Sequence, residues 1–198
     1  MNKDLYVKIL LIIYLIFFVI LAIDPRYRLI WAYESLLSAI LVIGLILTYK
    51  KFKFSYLSYT LIFVYLIFHT IGSHYTYSEM PLFDLIKNDF GFQRNNYDRV
   101  VHFLFGFSFY FALYDIINKN IKGIKNFWKY LLAFLIIVSL NGIYEIIEYL
   151  SLVVTQSNLV EGNFLGMQGD VWDAQRDIIA GMIGALVSWI ILIFKKKF

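Results

Sequence analysis

Three aspartates stand where the stretch Gln168-Gly-Asp-Val-Trp-Asp-Ala-Gln-Arg-Asp177 runs into an apolar segment. On a helix Asp170, Asp173 and Asp177 fall at i, i+3 and i+7, so all three carboxylates share one face. Two other apolar segments carry comparable stripes. Asp98 and His102 are four apart, and Asn141, Glu145 and Glu148 stand at i, i+4 and i+7. Carboxylates and imidazoles at helical spacing are the donors with which helical bundles hold divalent cations, and the same groups serve as general acids and bases.

Several desolvated carboxylates cannot all stay charged without compensation, because each buried ion costs several kcal/mol. Compensation comes from Arg99 and Arg176, from shared protons, or from a divalent cation such as zinc, manganese or magnesium. Asp98, His102, Glu145, Glu148, Asp173 and Asp177 are the expected catalytic groups, and all of these except Asp98 are also the expected metal ligands. Arg99 and Arg176, with Gln168, Asp170 and His74, make the expected substrate-binding set, the guanidinium groups holding an anionic moiety. Each stripe also has a purely structural reading. Asp98 and Asp173 suit helix N-termini as caps and as partners of the helix dipole, and a lone His102 is commonly a hydrogen-bonded packing residue. Glu145 and Glu148 fit that reading less well, because they lie near a helix C-terminus, where the dipole disfavours negative charge. Asp177 lies a full turn inside its helix.

The elements that carry these groups are long and apolar. The 198 residues are 61% hydrophobic and only 16% charged, with a mean hydropathy of +0.69, whereas soluble domains average about 25% charged. A span needs about 20 mainly apolar residues, and six segments qualify, at 5–23, 29–49, 55–73, 98–118, 127–150 and 173–194. The expected fold is an all-α polytopic membrane bundle, a single integral domain over 1–198. A short helix is expected around Leu82 to Asp89. Lys3 and Lys8 precede the first apolar run as in a signal peptide, but the run is too long and lacks a small-x-small cleavage site, so it reads as a retained span.

The sequence contains no cysteine, which excludes disulfides, thiolate ligands and a cysteine nucleophile. A pI near 9.1 does not point to nucleic acid, because the lysines form short juxtamembrane clusters. With six spans, 12 of the 18 basic residues fall on the side of the termini, which the positive-inside rule makes cytoplasmic. Twelve of the 14 acids and all three histidines fall on the opposite, outward side. The long connection from Ser151 to Val171 has the length of a functional lid. Gly181 and Gly184 read as sites of close helix packing. No Gly-x-Ser-x-Gly, His-Glu-x-x-His or nucleotide-binding fingerprint occurs.

His69-Thr-Ile-Gly-Ser-His-Tyr-Thr-Tyr77, Asp98-Arg-Val-Val-His-Phe103, Gly142-Ile-Tyr-Glu145 with Glu148, and the Gln168–Asp177 stretch together resemble the YjdF-like family of bacterial inner-membrane proteins. The resemblance spans nearly the whole chain and implies a multi-span helical protein of the cytoplasmic membrane, without implying a reaction. A looser similarity is to VanZ-like membrane proteins, whose pattern has an Asp-Lys-x-x-His motif, a Glu on a later helix and an Asp before a small-residue helix. Asp98, His102, Glu145 and either Asp173 or Asp177 are the counterparts, with Arg99 where lysine is usual.

Three functions are compatible with these residues. The first is a metal-dependent enzyme with an outward site, acting on a membrane lipid or a lipid-linked envelope intermediate. The second is a proton- or cation-coupled transporter or binding protein. It is weakened by the lack of comparable acids in the inner halves of the spans and of an evident inverted repeat. The third is a structural or accessory membrane protein held together by ion pairs. Oligomeric state is not encoded in any of these patterns.

Overall fold

The structure is a computed structural model that describes residues 2–155 and 168–195, with the backbone alone for 151–155. It contains seven α-helices and no strand among the described residues: α1 (Lys3–Leu21), α2 (Arg28–Thr48), α3 (Tyr56–Tyr75), α4 (Pro81–Phe90), α5 (Tyr97–Asn120), α6 (Asn126–Thr155) and α7 (Asp173–Lys195). All but α4 are long and apolar enough to cross a membrane. These six match the six expected spans, and α4 is the short helix expected around Leu82. The chain divides into two compact units, Met1–Tyr97 and Asp98–Phe198.

Local chemistry sets the helix ends. The Asn2 side chain accepts from the backbone N–H of Asp4 at 2.7 Å, and Ser55 Oγ accepts from that of Ser58 at 3.1 Å; each satisfies a donor that the first helical turn leaves open. Pro81 opens α4, where its missing N–H costs nothing, and Gly91 closes it at φ 66°.

In the first unit the principal packing partners are α1 with α3 and α2 with α3. A buried polar chain is tied to this packing. The hydroxyls of Tyr77 and Ser73 lie 3.1 Å and 3.3 Å from His69 Nδ1, and Tyr77 also reaches Glu34 Oε2 at 3.4 Å. Thr76 and Tyr77 both adopt a left-handed backbone, at φ 55°, and this turn brings the Tyr77 ring back over α3. A side chain at Gly72 would collide with that ring, so the glycine makes room for it.

In the second unit α6 packs extensively on α7, and α5 meets α7 backbone to backbone. A methyl group on Gly106 would strike the Gly181 carbonyl, and one on Gly184 would strike the Phe103 carbonyl. Ser188 Oγ donates to the Phe107 carbonyl at 2.7 Å, further along the same seam. Apolar burial gives little drive for association between helices in lipid, so this close approach, with its dispersion contacts and hydrogen bond, holds the pair together. It also sets α5 and α7 parallel and fixes the depth of Asp177 relative to Asp98 and His102.

Candidate functional site

Asp98 lies in the first turn of α5, with His102 one turn further in. Both are buried, at 9% and 6% exposure. Asp177 lies one turn into α7 and is 2% exposed. The α5–α7 seam brings one donor atom from each of these three residues to within 4.8 Å of the other two.

The fourth component comes from α6. Asn141 Nδ2 donates to the Ile137 carbonyl at 3.0 Å, which orients the amide and leaves Oδ1 facing His102 Nδ1 at 3.0 Å. An amide oxygen accepts only, so Nδ1 carries the hydrogen. Nε2 then points to the carboxylates, 3.3 Å from Glu145 Oε1 and 3.7 Å from Asp98 Oδ1. Gly181 underlies this arrangement, because a methyl group there would come within 2.5 Å of Asn141 Nδ2. The glycine thus serves both the helix seam and the residue that orients the imidazole. Glu145 Oε1 is sealed from solvent and makes no hydrogen bond, with the imidazole Nε2 3.3 Å away.

Above this group is a second charge cluster. Arg99 lies 2.6 Å from Asp170, 3.9 Å from Asp173 and 3.8 Å from Asp177, and Arg176 also pairs with Asp170. Both guanidinium groups assigned by sequence to an anionic ligand therefore converge on the Asp170 carboxylate. Its other oxygen accepts from the Trp172 backbone N–H at 3.1 Å, at the entrance to α7. Burial pushes the Asp170 carboxyl up, but the Trp172 N–H and the two arginines outweigh it and hold the group below the usual carboxylate range.

Of the residues singled out by sequence, Asp98, His102 and Asp177 form the convergent donor group among the described residues, and Glu145 borders it through His102. Asp173 is buried beneath Arg99. Glu148 is half-buried further along α6. His74 lies in the first unit, its Nδ1 2.8 Å from the Leu21 carbonyl. Gln168 has a left-handed backbone, at φ 44°. The connection read as a lid lies outside the described residues over 156–167. Asn141 lies on the α6 stripe by spacing, but nothing in that spacing marks it as the residue that orients His102. The signal for that function was Gly181, whose missing side chain reads equally well as packing.

Six apolar spans and a buried aspartate–histidine–aspartate group in the second unit are the features of a multi-pass integral membrane protein with polar side chains held inside it. A family model described as "Predicted membrane protein (DUF2238)" matches residues 6–197, and the chain belongs to that family. It is 30% identical over 173 residues to the inner membrane protein YjdF of Escherichia coli (strain K12), covering 86% of this chain and 80% of the relative. The spans and this relative are those of a multi-pass inner-membrane protein. No solved structure matches the chain.

Proposed function

We propose that this chain is a metal-dependent membrane enzyme whose site faces outward and acts on a lipid or envelope intermediate with an anionic headgroup. The observation that carries the reading is the set His102, Asp98 and Asp177, with donor atoms within 4.8 Å of one another. The group fits a divalent cation on chemical grounds. Asn141 takes the Nδ1 hydrogen, so Nε2 is available to present a lone pair, the outer-shell arrangement that orients metal-binding histidines. One imidazole and two carboxylates suit zinc or manganese better than magnesium, which prefers oxygen donors throughout.

A cation held there would supply Lewis-acid polarisation of a phosphoryl or carbonyl oxygen and a water of lowered pKa. Glu145, sealed beside the imidazole, is placed to accept a proton as general base. Arg99 and Arg176, which converge on Asp170, are the groups that would receive an anionic headgroup once Asp170 gives way. A looser likeness to VanZ-like proteins, through Asp98, His102, Glu145 and either Asp173 or Asp177, agrees with an outward site of this kind.

The test is metal content and response. Purified full-length protein should retain a stoichiometric divalent metal, or be stabilised when zinc or manganese is added, and His102→Gln and Asp177→Asn should abolish both effects. Protein that carries no metal and gains neither stability nor activity from added metal would exclude this reading. A structural ion-pair network then becomes the better account, favoured by the closeness of Arg99 to three aspartates.

A further inference from the structure

A groove of about 200 Å³ opens in the first unit, lined by none of the residues of the aspartate–histidine site. Its walls are three regular stripes. α1 contributes from Val7 to Tyr14, α2 from Val42 to Tyr49 and α3 from Tyr59 to Leu66, each at i, i+3, i+4 and i+7. α1 and α2 pack principally on α3, which leaves a wedge between them floored by α3. The deep end is closed by Tyr14, which is 4% exposed and hydrogen-bonded through its hydroxyl to Thr70.

The mouth has the opposite character. Asp4 and Lys8 line it, and Lys3, Lys50, Lys51 and Lys53 belong to the same ends of α1, α2 and α3. Asp4 is already engaged by Lys53 Nζ at 2.7 Å and by the Tyr49 hydroxyl at 2.6 Å. Five lysines against one satisfied aspartate leave a net positive rim over an apolar slot. From Asp4 to Tyr14 is about 15 Å along α1 at 1.5 Å per residue, half of a hydrocarbon core about 30 Å thick. That is the depth of one leaflet.

We propose that this groove binds one anionic glycerophospholipid, with an acyl chain in the α1–α2 wedge and the phosphate at the lysine rim. The length of the slot matches a single leaflet's chain, and basic clusters at the ends of spans recognise anionic headgroups. The proposal does not rest on the metal reading.

The test is native mass spectrometry of the full chain released from nanodiscs of phosphatidylglycerol and phosphatidylcholine mixed equally. The expected result is one retained phosphatidylglycerol per chain. Lys8→Gln and Lys50→Gln, which touch no helix packing, should each lower the preference about fivefold. Leu11→Trp, which fills the slot from α1, should remove the retained lipid, and Leu45→Trp repeats the test from α2 should the first variant fail to fold. Equal retention of the two lipids, retention unchanged by the lysine and tryptophan variants, or a dimer mass in place of a lipid adduct would each overturn the proposal.

Discussion

His102 Nδ1 and Asn141 Oδ1 lie 3.0 Å apart in the interior of the second unit. This one hydrogen bond determines which imidazole nitrogen faces the carboxylates. Asn141→Ala removes the acceptor and lets the ring rotate or change tautomer. Divalent-metal affinity should then fall about 10–100-fold, the usual effect of losing an outer-shell partner, while helical content by circular dichroism stays unchanged. Competition with a chromogenic chelator measures the affinity directly.

The α5–α7 seam predicts a reversal of sign among glycine substitutions. Gly184→Ala drives a methyl group into the Phe103 carbonyl and Gly106→Ala drives one into the Gly181 carbonyl. Each should destabilise the protein by about 1–3 kcal/mol, the usual cost of overpacking. Gly44 and Gly142 have open space where a methyl group would go, so their alanine variants should be neutral or gain up to about 1 kcal/mol in helix propensity. Unfolding midpoints in one detergent compare all four.

Asp170 makes a pH prediction whose sign follows from its lowered carboxyl pKa. The unfolded chain takes up the proton first as pH falls, so the ionised carboxylate stabilises the fold fully above the ordinary value near 3.8. That contribution is lost as pH drops from there through the depressed native value. The stability difference between the wild type and Asp170→Asn should therefore be constant from about pH 5 to 8 and shrink below about pH 4. A difference that grew on acidification would contradict the pairing with Arg99 and Arg176.

Arg99 is the cation shared by Asp170, Asp173 and Asp177. Replacing it with glutamine leaves buried carboxylates short of countercharge, a loss of about 3 kcal/mol, and Arg99→Lys should recover only part of it because a point charge cannot span several acceptors. If the donor group below holds a cation, added zinc should restore more stability to Arg99→Gln than to Arg99→Gln combined with His102→Gln. Thermal unfolding with and without metal separates these outcomes.

Much of this was legible in the sequence because both signals are periodic. Apolar length gives the spans, and the i, i+3, i+4 and i+7 spacing places Asp98 with His102, Asn141 with Glu145, and Asp173 with Asp177 on single faces. The pairing of Arg99 and Arg176 with Asp170 was not legible, because it depends on a turn ahead of α7 and not on a helical repeat. His74, expected in the substrate-binding set, has its Nδ1 at 2.8 Å from a main-chain carbonyl at the end of α1, a contact that no side-chain pattern records. The apolar slot in the first unit was equally hidden, since its stripes have the spacing of ordinary packing faces.

Everything proposed for the second unit turns on whether His102, Asp98 and Asp177 hold a divalent cation. Extended X-ray absorption fine structure on the zinc-loaded full-length protein tests it most directly. The expected spectrum has a nitrogen and oxygen shell at about 2.0–2.1 Å with the outer scattering of one imidazole, lost in His102→Gln. Failure to load zinc, or a spectrum unchanged by His102→Gln, would contradict it.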